Sequence, residues 1–188
     1  MPAKQYISNQ MVVGMLHSII QQMNKDNWKP DYIVGLTRGG LVPANYLSQF
    51  LDIPMETLKV SLRDSNNGPE SNLWMAEDAF NGKNILIVDD INDTGATLNW
   101  IVNDWKQSCL PSDQKWNTVW GNNVKVAVLT DNLSSEFVHT VDYAGHEVNK
   151  AEKDVWIVYP WESWWFNPAT TQPSLLDAYE QTDRNISA

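Results

Sequence analysis

The run Ile85-Leu86-Ile87-Val88-Asp89-Asp90-Ile91-Asn92-Asp93-Thr94-Gly95-Ala96-Thr97-Leu98 is the most informative part of the chain. With Asn84 before them, its first four residues read as a continuous apolar strand, Asn84 to Val88, as expected when both faces of a parallel sheet are buried. The strand delivers two adjacent carboxylates, Asp89 and Asp90, to its carboxyl end, where open α/β sheets bind ligands. A tight turn at Gly95 then opens a helix over Ala96 to Trp105. Backbone N–H groups from Thr94 to Thr97, two threonine hydroxyls and the positive helix end converge there as an anion cradle of phosphate type. Carboxylates beside such a cradle would repel a bare anion. They suit a ligand that also offers hydroxyls or a Mg²⁺ shell, and a phosphorylated ribose meets both demands. The segment is not a Walker loop, since no Gly-Lys-Ser/Thr follows the turn. It also lacks the three-glycine spacing of a dinucleotide fingerprint.

Outward from this core, strands and helices alternate. Met11, Val12, Met15, Leu16, Ile19, Ile20 and Met23 recur at helical spacing and predict a helix from about Asn9 to Asn24, with Ser8 as N-cap. Tyr32 to Leu36 reads as a strand, broken by Arg38-Gly39-Gly40. Leu41 to Leu51 reads as a helix with Pro43 in its first turn. Glu56 to Leu62 alternates like a strand. Residues 63 to 73, with Asp64-Ser65-Asn66-Asn67-Gly68-Pro69, form a polar breaker cluster expected to be a mobile loop. Asn81-Gly82 marks a turn, 109 to 123 a loop, and Val124 to Leu129 and Val155 to Val158 two more strands. The pattern predicts an α/β fold, an open and mostly parallel sheet flanked by helices. Residues 1–188 read as a single domain, with a polar C-terminal tail over 167–188.

Composition narrows the function. The chain has 188 residues, enough for one ordinary domain, and its 43% hydrophobic content rules out global disorder. Thirteen Lys+Arg against 23 Asp+Glu, a net charge of −10, argue against a nucleic-acid binder. One cysteine, Cys109, allows no internal disulfide and makes a zinc cluster untenable. No apolar run is long enough to span a membrane, and Met1-Pro2-Ala3-Lys4 lacks the apolar stretch of a signal peptide. A soluble cytoplasmic protein is expected. Most of the ten tryptophans should be packing residues. His17, His139 and His146 have no metal-ligand spacing, and Cys109 has no activating neighbour in sequence.

The Asp89-to-Thr97 segment resembles the 5-phosphoribosyl-1-pyrophosphate (PRPP) signature of the type I phosphoribosyltransferases. Ile33-Val34-Gly35-Leu36-Thr37-Arg38-Gly39-Gly40-Leu41-Val42-Pro43-Ala44 is similar to the first pyrophosphate loop of bacterial xanthine–guanine phosphoribosyltransferases. Asp154-Val155-Trp156-Ile157-Val158-Tyr159-Pro160-Trp161-Glu162 resembles their purine-pocket stretch. The likeness runs in order over roughly residues 5 to 165. It implies the type I fold with a small hood built from the chain ends, and a pentosyltransferase that moves the 5-phosphoribosyl group from PRPP to a nucleobase of purine type, releasing pyrophosphate, in nucleotide salvage.

In this resemblance Asp89 and Asp90 bind the ribose hydroxyls, directly or through Mg²⁺, the implied cofactor and their metal. Asp93 lies near the purine N7 and manages its proton. Together with Thr94, Gly95, Ala96 and Thr97 it lines the 5'-phosphate site. Thr37-Arg38 is the often cis peptide of the pyrophosphate loop, and the Arg38 and Gly39 N–H groups face the leaving group. Ser61-Leu62-Arg63 begins a lid, with Arg63 on pyrophosphate. Trp156 contacts the base and Ile157 offers backbone groups to its edge. Glu162 reads either as a metal helper or as a turn cap. PRPP and a nucleobase are the expected partners, without nucleic acid or membrane, and a homodimer or higher homo-oligomer is expected.

One departure stands out. Close relatives in that family carry a lysine after the fourth strand that bonds the purine 6-oxo group. Here that strand runs into Thr130-Asp131-Asn132. Asp131 or Asn132 would meet a different exocyclic group, such as an amino group, unless the site takes something other than a 6-oxopurine. Two other readings compete with transfer: a non-catalytic PRPP or nucleotide sensor on the same fold, and a Mg²⁺-dependent phosphohydrolase. The hydrolase is weakened because adjacent side chains diverge on a strand.

Overall fold

The computed structural model describes residues 3–60, 72–162 and 164. The described chain divides into two compact units. The larger, residues 10–154, contains a five-stranded, all-parallel sheet in the order β3-β2-β4-β5-β6. Its strands are β2 (Tyr32–Thr37), β3 (Met55–Lys59), β4 (Ile85–Asn92), β5 (Val124–Asn132) and β6 (Tyr143–Val148). Its helices are α1 (Asn9–Asp26), whose first residue falls in the smaller unit, α2 (Leu41–Leu51), α3 (Leu73–Asn81) and α4 (Ala96–Ser108). The smaller unit takes the two chain ends, where β1 (Ala3–Tyr6) pairs in parallel with β7 (Val155–Val158). This is the α/β architecture the alternation predicts, with the ends set apart as a unit of their own.

The central strand shows why. Ile85, Leu86, Ile87 and Val88 have no exposed surface, because β2 and β5 flank β4 and both of its faces are covered. One face carries a core of Val34, Leu36, Ile85, Ile87, Val126 and Val128 with Leu98, Ile101 and Trp105 of α4. At about 25 cal/mol per Å² of apolar surface, such burial is the main term holding the sheet together. Helix α1 buries Val12, Met15, Leu16, Ile19 and Met23, but Met11 is exposed and Ile20 only half-buried, so the apolar stripe is narrower than its spacing predicts. From α1 the Gln22 amide donates to the Ala144 carbonyl (2.7 Å) and accepts from the Ala144 N–H (3.2 Å) on β6.

Three elements escape the sequence pattern. β1 is four mostly exposed residues, β6 has His146 and Glu147 in its apolar alternation, and α3 buries chiefly the small Ala76 and Ala79 beside Met75. The expected loop over 109 to 123 contains a 3₁₀ turn, Gln114–Thr118, that seats Trp116 in the core. The Trp116 indole N–H donates to the Cys109 carbonyl at 2.7 Å. The expected lid falls mostly, and the C-terminal tail wholly, outside the described residues; Leu73, at the lid's expected end, begins α3. Among the described residues no helix is long and apolar enough to cross a membrane.

The buried Trp116 makes the 109–123 segment part of the fold. Trp116→Ala should lower stability by about 3–5 kcal/mol, measured by urea unfolding, and Trp116→Phe by about 1–3 kcal/mol for the carbonyl left without its donor. A near-neutral Trp116→Ala would show that the segment is dispensable.

Candidate active site

The carboxyl ends of β2, β4, β5 and β6 bring four connecting segments together. After β2, the chain turns through a cis Thr37–Arg38 peptide into Gly39 and Gly40. This turn lies against β4 so closely that a Cβ at Gly39 would overlap the Asp90 carboxylate, and one at Gly40 the Val88 carbonyl. The Gly40 N–H bonds the Asp89 carboxylate. The pyrophosphate-type loop and the acid pair are thus in direct contact, with Arg38 exposed above them.

The two carboxylates do not diverge as strand alternation predicts. Asp89 curls along its own backbone, its Oδ1 accepting from the Asp90 N–H at 2.9 Å, and the two side chains share a hydrogen bond. Burial first, and then the Asp90 charge, push the Asp89 carboxyl well above the usual carboxylate range, against the lowering effect of the Asp90 and Gly40 N–H groups. The geometric objection to a hydrolase therefore falls. Among the described residues no cluster of three or more His, Cys, Asp or Glu could hold a metal. The pair nevertheless fits Mg²⁺, which keeps several waters and takes one or two carboxylates together with substrate oxygens. Two crowded carboxylates, one disfavoured as an anion, would be relieved by a shared divalent cation.

The turn after β4 has the form of an anion site. Gly95 has φ 85°, and a Cβ there would run into the backbone of Glu136 and Phe137. The Glu136 N–H donates to the Thr94 carbonyl at 3.0 Å, and Asn99 on α4 bonds the Glu136 carbonyl and the Val138 N–H. The segment after β5 thereby straps the turn from outside. The first turn of α4 carries no acidic side chain, so its positive end is not neutralised. Thr94 and Ala96 are exposed and Thr97 half-buried, as an open cradle requires.

Asp93 and the end of β5 depart from the sequence reading. Lys150, in the turn after β6, places its Nζ 2.7 Å from Asp93 Oδ1. Asn132 does not face a ligand. Only 5% exposed, it donates to the Asp93 carbonyl (2.7 Å) and accepts from the Lys150 N–H (3.0 Å) and from Ser134. Asp131 accepts from Asn92 at 2.8 Å, and burial raises its carboxyl. Asn132 is spent on joining the end of β5 to the turns after β4 and β6, and Asp131 gives one carboxylate oxygen to Asn92 of β4. Lys150 gave no sequence signal: it sits in a polar stretch after a strand that the apolar pattern does not reveal.

The smaller unit holds the remaining candidates. Trp156 is 44% exposed on β7 beside the buried Ile157, so it is not a core tryptophan. Glu162 Oε1 accepts from the Tyr159 N–H at 2.9 Å, which makes it the turn cap. Arg63 lies outside the described residues. His139 stacks on Trp120, and burial, followed by the Glu77 charge, raises the Cys109 thiol; neither bears the marks of a catalytic group.

Residues 3–162 match the family model described as "Phosphoribosyl transferase domain". A hypoxanthine-guanine phosphoribosyltransferase of Schizosaccharomyces pombe is 29% identical over 176 residues, covering 76% of this chain and 82% of that protein. A xanthine-guanine phosphoribosyltransferase of Cereibacter sphaeroides is 30% identical over 141 residues, covering 73% and 72%. The crystal structure of a purine phosphoribosyltransferase from Pyrococcus horikoshii superposes with a TM-score of 0.60 at 26% identity, over 90% of this chain and 99% of that one.

The contact between Gly39 and Asp90 can be tested directly. Overpacking of this kind costs about 1–3 kcal/mol, so Gly39→Ala should displace the loop and weaken PRPP binding about tenfold or more in calorimetric titration. Unchanged affinity would mean that this loop does not take part in binding.

Proposed function

Because the chain belongs to the phosphoribosyl transferase domain family, we propose that it transfers the 5-phosphoribosyl group of PRPP to a purine base and releases pyrophosphate. The observation that carries this reading is the contact of the acid pair with the Arg38–Gly40 loop, at the same sheet end as the Gly95 phosphate turn. One ligand with a 5'-phosphate, a diol and a pyrophosphate satisfies all three at once. The purine comes from the relatives: each of the three named above carries a purine, or purine bases, in its name.

In this reading the turn Asp93 to Thr97 anchors the 5'-phosphate, and Asp89 and Asp90 take the ribose hydroxyls and hold Mg²⁺. When bound, Mg²⁺ would neutralise charge on the departing pyrophosphate. The Arg38 and Gly39 N–H groups face that leaving group, and Arg63, outside the described residues, is assigned to it by the family resemblance. The displacement passes through an oxocarbenium-like state at the anomeric carbon. The protein's part is to align the ring nitrogen with that carbon, stabilise developing charge and exclude water. Asp93 takes the proton of the incoming ring, and the family resemblance assigns Trp156 and Ile157 to the base. The whole chain acts as one soluble, cytoplasmic phosphoribosyltransferase domain. It assembles as a homodimer or higher oligomer, a reading supported by exposed Tyr46 and Phe50 on α2. The competing sensor would bind PRPP and release nothing; an assay of pyrophosphate release across a panel of bases separates the two, and release without any base would mark a hydrolase.

Two outcomes are expected. PRPP titrated with and without Mg²⁺ should bind tightly only to wild type with Mg²⁺, and the Asp89→Asn/Asp90→Asn variant should lose that dependence; four equal affinities would contradict the assignment. Asp93→Asn should cut turnover by about 10²–10⁴, the range for one general acid or base, with PRPP affinity held within a few-fold. Parallel losses in both would make Asp93 part of the phosphate site alone.

A further inference from the structure

We infer that the amino end of the sheet carries a second binding site, a pocket walled by Tyr32, Glu56, Trp74 and Asp78 that takes an aliphatic polyamine. The pocket has a volume of about 350 Å³, at the small end of the range for small-molecule sites. Tyr32 opens β2, so the pocket lies at the opposite end of the strands from the phosphate turn. Glu56, on the neighbouring β3, pairs in register with Val34, and so shares a sheet face with Tyr32 two residues away. α3 packs on that face through Met75, Ala76 and Ala79. Trp74 and Asp78, four residues apart, stand on one side of the same helix. The Trp74 and Tyr32 rings meet at 5.7 Å, tilted by 38°. Asp31, Pro54 and Lys83, which precede β2, β3 and β4, complete the walls.

Three carboxylates against one ammonium exclude a phosphate or any other anion here. Lys83 shows how a cation is received: its Nζ lies 3.0 Å from both Asp78 oxygens, on a side chain 54% exposed at the rim. Tyr32 supplies an independent observation. It is only 7% exposed, and its hydroxyl is enclosed without a hydrogen-bond partner among the described residues. Asp78 acts on that phenol without meeting it in hydrogen-bond geometry, and the charges of Glu56 and Asp31 reach it too. Burial first, and then the Asp78 charge, raises the Tyr32 pKa, so the group stays a neutral hydroxyl. An enclosed polar atom without a partner is costly, and an ammonium brought to Asp78 would donate to it. The carboxylates are spread rather than gathered: among the described residues no three acidic, His or Cys side chains could hold one metal ion. Spread carboxylates set among apolar Trp74 and Pro54 match a cation whose ammonium groups are separated by methylenes. The Trp74 ring, exposed at the mouth, adds cation–π attraction.

The test is calorimetric titration with spermidine in about 0.15 M salt, where loose attraction to an acidic surface is largely screened. Wild type should bind it at one saturable site. Glu56→Gln and Trp74→Ala should each weaken binding about two- to fivefold, the scale of one exposed charge or cation–π contact. Glu152→Gln, which removes an exposed carboxylate at the other end of the sheet, should leave it unchanged. Lys83→Met should tighten binding by about the same two- to fivefold factor, because it removes the ammonium that competes for Asp78. Glu56 and Lys83 are exposed, so these variants test the site without disturbing the core. Absence of a saturable site in wild type overturns the inference. So does a loss in Glu152→Gln equal to that in Glu56→Gln, or a Lys83→Met variant that binds no better than wild type. Tighter binding of a lysine-rich peptide than of spermidine would also overturn it, making the pocket a protein contact. None of these readouts involves PRPP or turnover, so they stand whatever the fate of the transferase reading.

Discussion

The site depends on how closely one loop can lie against one strand. Gly39 and Gly40 bring the backbone after β2 into contact with Asp90 and the Val88 carbonyl; a Cβ at Gly40 would meet the β4 backbone itself, and one at Gly39 would displace the Asp90 carboxylate. β4 cannot move, because it is the middle strand and its apolar half is wholly buried. The loop is therefore positioned by the core. The same contact gives the Asp89 carboxylate its Gly40 N–H partner and encloses the acid pair enough to disfavour two full negative charges. A chain that is acidic overall thus presents, at one point, a carboxylate whose anionic form burial disfavours.

A second set of constraints acts across the carboxyl ends of the strands. Asn92, Asp131, Asn132 and Ser135 exchange hydrogen bonds between the ends of β4 and β5, and Asn132 extends the network to the turn after β6. Asn92 and Asn132 are among the few buried polar side chains of the described sheet, and Asp131 and Ser135 are half-buried. Buried polar groups are costly unless satisfied and directional once they are. They fix the spacing between Asp93, the phosphate turn and Lys150 more narrowly than apolar packing could.

Much of this was legible from the residues. The apolar run before Asp89, the break at Arg38-Gly39-Gly40 and the turn at Gly95 placed β2, β4, α2 and α4, though β4 runs on through Asp89 and Asp90 to Asn92 and α4 three residues past Trp105 to Ser108. Those features are local: a strand buried on both faces and a glycine at a tight turn leave their mark in a few consecutive residues. β6 and Lys150 were missed for the opposite reason. β6 is an edge strand whose residues need not be apolar on both faces, and the place of Lys150 follows from register with β5, which no local pattern encodes. Asn132 was misread because an amide at a strand end looks available for a ligand until its three chain neighbours in space are known. Reading Trp116 as loop had a similar cause, since its anchoring partner is a backbone carbonyl seven residues away.

The Gln22 amide on α1 has a consequence of another kind. Strand β6 ends the sheet, and its outward N–H and C=O at Ala144 are the groups through which a foreign strand would add. Gln22 occupies both with a side chain that mimics a peptide bond. Strand addition at Ala144 is blocked for as long as Gln22 holds both groups. Loss of α1 would do more than remove a helix: it would bare a template for cross-β association in a strand flanked by apolar neighbours. Colloidal stability of this protein is thus tied to the docking of its first helix.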